Sequence, residues 1–280
     1  MNKIESVEQF KELKAKAKAL HGKLDTNCYL TNGGMESIMK VQDLFYAEFE
    51  QGLVLYADEG SYYRILYFID STQPLPDMRQ DKMIEIEEPD SFGRRGAYLD
   101  QFFAKLEAAG WRRVARNVQV SSTLQDKAEQ IASDYEGALQ AVEAQGLRLV
   151  DCPERHADRV VELWRGWLHE TDIPIEHVHF LDDPKQRVVV VLNDEDYVAA
   201  TNWWRFQGKS CEIRHTVTDP AFYQRGLGYL LQCAAMKDAL DNGCTSIFTY
   251  IDDTNYRSIK MFEKAGIVEN GRTTVQYALG

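Results

Sequence analysis

Residues 216–231, TVTDPAFYQRGLGYLL, constrain the fold more than any other stretch of the chain. β-Branched residues at 216–218 run into a turn at Asp219 and Pro220, and Gly226 and Gly228 then open an apolar run of helical length. Strand, turn and helix start therefore follow one another directly. A helix start leaves about four backbone N–H groups unpaired at the positive end of its dipole, so an anion placed there gains hydrogen bonds and charge stabilisation. Without a Cβ, Gly226 and Gly228 let the chain turn tightly and bring their amides close to phosphate oxygens, and Arg225 adds a side-chain cation. Two glycines alone do no more than begin a helix, so the surrounding pattern has to decide.

That pattern is regular. In the second half, 147–151 reads as a strand and 154–169 as a helix, and the apolar run 187–192 suits a strand buried on both faces. Strands 197–206 and 211–218 flank a turn at 207–210. A helix over 227–241 stops at Asn242 and Gly243; strand 245–251, helix 255–265 and strand 272–279 complete the half. The fold class is α/β (α+β), a mixed, mostly antiparallel sheet flanked by helices.

Within this frame, DPAFYQRGLG at 219–228 resembles the acetyl-CoA pyrophosphate loop of the GNAT (GCN5-related N-acetyltransferase) superfamily, whose pattern is Gln/Arg, two residues, Gly, one residue, Gly/Ala. Tyr223 departs from it, standing where the family usually carries Gln or Arg. Asn255, Ser258, Met261, Phe262, Glu263, Lys264, Gly266 and Ile267 resemble the family's pattern on its fourth helix. The resemblance covers 147–280 and implies a GNAT fold and an acyltransferase that takes acetyl-CoA as cosubstrate.

The same resemblance implies site residues. The backbone of Thr216, Val217 and Thr218 would line the pantetheine and polarise the thioester, and the amides of Gln224, Arg225, Gly226, Leu227, Gly228 and Tyr229 would cradle the pyrophosphate. Asn255 would touch the pantetheine arm, cap its helix, or do both. Glu212 stands where some relatives carry a catalytic glutamate, and is read either as a general base or as a solvated carboxylate beside Lys209 or Arg214. Phe262 takes the place of the tyrosine that protonates the leaving thiolate in many relatives. Three readings follow: unassisted departure, a substitute hydroxyl at Tyr250 or Tyr256, or acyl-CoA binding without efficient turnover. Glu212 and Tyr256 are the candidate catalytic pair.

Composition limits the partners. A formal charge of −12 argues against nucleic acid, because a duplex binder needs a basic face to displace counterions. The N-terminal stretch lacks a signal-peptide core, no apolar run approaches bilayer length, and the odd, scattered cysteines point to a reduced, cytoplasmic protein. The expected acceptor is a primary amine on a small molecule or peptide. His177 and His179 form an HxH without a third ligand, so no metal is expected. His215 is read as packed; of Trp203 and Trp204, on opposite faces of a strand, one reads as core, with lining an acceptor pocket as an alternative for the other. Residues 194–196 read as a hairpin turn.

Residues 1–146 are read as a separate domain: a helix at 5–20, a strand at 28–30, a helix at 35–50, a hairpin of 52–57 and 62–69 turning at Gly60, a loop at 71–77, a strand at 82–87, a helix at 97–109, a strand at 111–121 and a helix at 123–144. Arg95, Gly96, the helix, Gly110 and the strand from Trp111 parallel Arg225, Gly226, the helix, Gly243 and the strand from Thr245. This suggests tandem GNAT-like units with a degenerate first copy, in which Tyr98 crowds the phosphate position; an unrelated α+β accessory domain is the alternative.

Overall fold

A computed structural model describes residues 1–22, 24–28, 32–39, 43–58, 62–70, 73, 83–88, 97–167 and 185–279. Contacts divide the chain into two compact units: Met1–Asn117 with Glu170–Pro174 and Gly271–Gly280, and Val118–His169 with Ile175–Asn270. In chain order the first part holds β1 (Asn2–Lys3), α1 (Val7–His21), β2 (Asp25–Thr26), α2 (Asn32–Met39), β3 (Leu44–Phe49), β4 (Gly52–Asp58), β5 (Tyr62–Ile69), β6 (Met83–Glu88), α3 (Ala97–Ala108) and β7 (Trp111–Thr123). The rest holds α4 (Ala128–Glu143), β8 (Arg148–Asp151), α5 (Ala157–Trp167), β9 (Gln186–Leu192), β10 (Val198–Gln207), β11 (Ser210–Thr218), α6 (Leu227–Asp241), β12 (Ser246–Asp252), α7 (Tyr256–Lys264) and β13 (Val268–Leu279).

In the first unit β3, β4 and β5 form an antiparallel meander, β5 pairs β6 in parallel, and β6 pairs β13 antiparallel from Thr273↔Glu88 to Tyr277↔Ile84. The run LVLYA in β4 is buried throughout because both faces are covered: Val54 and Tyr56 join a cluster with Ile65, Ile86 and Trp111, and Leu53, Leu55 and Ala57 join one with Phe10, Cys28 and Met35. The helix expected over 35–50 forms only in its first part. Residues 32–39 are helical, but 44–49 pair with β4, where alternate side chains such as Leu44 and Phe45 reach opposite clusters. Residues 29–30 of the expected strand 28–30, the Gly60 turn, most of the 71–77 loop, Arg95 and Gly96, the side chain of Tyr98, and His177 and His179 lie outside the described residues.

In the second unit the strand order is β7, β12, β11, β10, β9, β8, with helices on both faces. On one face α4, α6 and α7 bury Ile131, Val142, Leu230, Leu231, Ile259 and Phe262 against Val189, Val191, Ile213 and Ile247. On the other, α5 covers the sheet with Val160, Leu163 and Trp164. The expected boundary is residue 146, and the contacts divide the chain between Asn117 and Val118. Gly146 is only the turn after α4, whose stripe of Ile131, Tyr135, Ala138, Leu139 and Val142 packs into the second unit's core. Residues 271–280, expected in the second domain, belong to the first unit as the partner of β6.

Candidate active site

The site begins with an irregularity in β11. Its register against β10 runs Trp203↔His215 and then Trp204↔Ile213, which leaves Arg214 as an extra residue on β11. Such a bulge bends a strand and increases its twist. On the other side, the parallel ladder with β12 covers only 210–212 against 246–248, although β11 continues to Thr218 and β12 to Asp252. The two strands therefore part immediately before the bulge. Asp219 donates to the Ala199 carbonyl (2.9 Å), and alternation along an antiparallel pair turns the backbone groups of Val217 toward β10 and those of Thr216 and Thr218 toward the gap. Of the three residues expected to line a pantetheine, Thr216 and Thr218 offer their backbone; Val217 is bound to β10 and its side chain is buried.

The loop after β11 is held rigidly. Asp219 accepts from the Ala221 amide (2.9 Å), Tyr197 Oη (2.6 Å) and Arg159 (3.0 Å). Burial pushes the Asp219 carboxyl up, but these hydrogen bonds and the Arg159 charge outweigh it and hold it below the usual carboxylate range. A 3-10 turn at Pro220–Phe222 follows, and Gln224 (φ 65°) and Gly226 (φ 82°) both take left-handed conformations before α6. For Gln224 that conformation costs about 1–2 kcal/mol. No side chain caps α6, and the amides of 224–229 have no acceptor among the described residues. The first bond of the helix is Leu230 N–H to Gly226 O, 3.0 Å.

The two glycines serve different ends. A Cβ on Gly226 would meet nothing within 4 Å, so its conformation is what demands glycine. A Cβ on Gly228 would stand 2.3 Å from Met261 Sδ; this glycine lets α7 pack against α6.

Thr216 is locked by its side chain, which donates to Asn202 Oδ1 (2.9 Å) and accepts from Gln232 Nε2 (3.1 Å). Asn255 caps α7 through Oδ1, which accepts from the Ser258 amide (3.1 Å). Its Nδ2 has no acceptor among the described residues, so capping leaves a donor for a ligand.

The two candidate catalytic residues stand in different surroundings. Glu212 is 5% exposed; its Oε2 accepts from Arg205 (2.6 Å) and Gln207, and its Oε1 from Arg214 (2.9 Å). The carboxylate is thus a buried anion paired with two guanidinium groups, one of them the expected neighbour Arg214. Tyr256, in the first turn of α7, is 71% exposed. Phe262 is 3% exposed and belongs to the core, while Tyr250 is half-buried on β12 beyond the point where the ladder with β11 ends. The bulge sends His215 to the α5 face, where its ring lies 5.4 Å from Trp164 and 5.2 Å from Trp203. Burial first, and then the Arg214 charge, push the His215 pKa down to about 3. Both tryptophans expected to divide between core and pocket are core, with Trp203 4% and Trp204 1% exposed. Arg257 was missed by sequence reasoning; its guanidinium lies over the Tyr223 ring, 3.9 Å from the centroid. Nothing in the local pattern marks it, because Tyr223 is distant in sequence.

A parted strand pair leading into a helix start with unpaired amides is the architecture of the GNAT fold. Residues 148–267 match the profile of the Acetyltransferase (GNAT) family. Among solved structures it is similar to a tandem GNAT protein from the clavulanic acid biosynthesis pathway (16% identity, 99% of this chain and 97% of that one, TM-score 0.60). It is also similar to a GCN5-related N-acetyltransferase from Kribbella flavida (16%, 87% and 91%, 0.54) and to a GCN5-related N-acetyltransferase-like protein from Streptococcus suis (13%, 96% and 99%, 0.60). At these identities the likeness is one of fold. No curated protein matches the sequence.

Proposed function

We propose that this protein transfers an acetyl or other short acyl group from acetyl-CoA to a primary amine of a small molecule or peptide, by direct attack in a ternary complex. The observation that carries this reading is the run of unpaired amides at 224–229, set at the start of α6 next to the parting of β11 and β12. These groups suit a pyrophosphate, and the backbone of Thr216 and Thr218 suits the pantetheine arm and the thioester carbonyl. CoA supplies an activated acyl group on a thiol leaving group of pKa near ~8.5, which departs with little acid assistance. An apolar Phe262 is compatible with that, and Tyr256 on α7 or Tyr250 on β12 is the hydroxyl that gives a proton where one is needed. An amine of pKa ~10.4 must lose a proton before it attacks. With both Glu212 oxygens engaged, that proton leaves to water or to the acceptor's surroundings, or Glu212 first releases a cation.

A second reading, an acyl-CoA-binding regulatory or scaffold protein without turnover, is favoured by the same engaged Glu212 and buried Phe262. Thiol release from acetyl-CoA, measured across a panel of small amines and amine-bearing peptides, separates the two. Amine-dependent release supports the transferase; CoA binding without release on any amine supports the second reading.

A further inference from the structure

Arginines of the second unit have carboxylate partners as a rule: Arg148 and Arg155 pair with Asp196, Arg159 with Asp219, Arg187 with Asp151 and Asp238, and Arg205 and Arg214 with Glu212. Arg225 and Arg257 differ. Neither has an acidic partner among the described residues, in a chain with 44 acidic against 32 basic side chains. Each leans on an aromatic ring instead, Arg225 over Phe222 (5.1 Å) and Arg257 over Tyr223 (3.9 Å). Asp252 and Asp253 lie a few residues from Arg257, yet its guanidinium turns to the loop. The two rings are consecutive, and Phe222 is itself stacked on Tyr197 (6.0 Å, 20°), whose hydroxyl is bound to Asp219.

A guanidinium stacked on a ring keeps its charge and its planar fork of donors, and the ring restricts its rotamers before a ligand arrives. An exposed cation without a carboxylate, fixed beside a loop of unpaired amides, is suited to phosphoryl oxygens, which it can bind through two parallel N–H bonds. We propose that Arg257, held by Tyr223, is a phosphate-binding residue of this protein's acyl-CoA site, supplying from α7 the cation that position 223 lacks. Tyr223 is then a positioning residue that acts through Arg257. The inference rests on the acyl-CoA reading above and adds a specific residue to it.

Isothermal titration of CoA, 3′-dephospho-CoA and pantetheine into wild type, Arg257→Ala, Tyr223→Leu and the double variant tests it. CoA affinity should fall about tenfold or more in Arg257→Ala and about threefold in Tyr223→Leu, with the double variant no worse than Arg257→Ala. Pantetheine affinity should not change. A loss shared by CoA and dephospho-CoA assigns Arg257 to the pyrophosphate, and a loss confined to CoA assigns it to the 3′-phosphate; either supports the proposal. CoA affinity of Arg257→Ala within twofold of a wild type that binds CoA overturns it, as does an equal loss for pantetheine. A wild type that binds no CoA removes the acyl-CoA reading itself, and this inference with it.

Discussion

The two units share an order of elements and part company at one connection. β3, β4, β5, β6 and α3 in the first follow the same order as β9, β10, β11, β12 and α7 in the second, with a parallel pair, β5 with β6 or β11 with β12, in the corresponding place. Between the parallel strands the second unit runs through 219–245 and holds the whole of α6. The first has only 70–82, shorter than the 15 residues of α6 alone and without a glycine. The repeat therefore aligns α3 and Gly110 with α7 and Gly266, one unit away from the alignment with α6 that the local sequence suggested, and Tyr98 does not correspond to Gly228. The comparison also bears on Glu212. Glu85, in the first unit's sheet, is likewise 5% exposed and bound, by Arg64 (3.2 Å) and Gln276 (3.1 Å). A buried, neutralised carboxylate recurs where there is no glycine loop, which makes sheet stabilisation a sufficient role for it.

The largest expected effect breaks this comparison at the connection. Gly226→Glu places an anion among the unpaired amides and should weaken acetyl-CoA binding by about a hundredfold or more in titration, with the circular dichroism spectrum retained. Gln73→Glu, in the first unit's connection, should leave binding unchanged. Equal losses would mean that the first unit also binds the ligand.

Next comes the pair of buried carboxylates. Glu212→Gln leaves Arg205 and Arg214 without their counter-charge and should cost about 3 kcal/mol in urea unfolding, with a smaller loss for Glu85→Gln, which faces one arginine. A Glu212→Gln variant that keeps its stability and loses only kcat would restore the general-base role and end the parallel. Gly228→Ala makes the flexible Met261 thioether move aside and should cost under about 1 kcal/mol, which Met261→Ala in the same chain should remove. The smallest effect at neutral pH belongs to His215. A folded-state pKa near 3, against an ordinary 6.5, means that the unfolded chain takes up a proton first as pH falls. Its contribution to stability is complete above about 6.5 and is lost between there and about 3. The pH dependence of the urea midpoint in that window should flatten in His215→Phe, and an unchanged dependence would show that His215 is not buried as a neutral ring.

Much of the second unit was legible before folding, because its signals are local. Helix 227–241 coincides with α6, and the strands from 187 to 279 fall within a few residues of those observed, since apolar runs bounded by Gly, Asn and Asp turns admit few alternatives. The glycine loop was equally legible, as was the Asn255 cap. Where the signal is weak, the partner decided. Residues 44–49 became a strand because β4 was there to pair with, and α4 joined the second unit because its apolar stripe found α6.

The amino-acid order thus carries the strand–loop–helix that can present amides to an anion, along with the glycine whose left-handed backbone the loop requires. Folding supplied what depends on residues far apart in sequence. It set the Arg214 bulge, since a bulge exists only relative to a partner strand, and with it the parting of β11 from β12. It also engaged Glu212 with Arg205 and Arg214, set Gly228 against Met261, and laid Arg257 on Tyr223. The physical reason is the same in each case: burial, charge neutralisation and strand register are properties of pairs of residues, and those pairs come into being only when the chain packs.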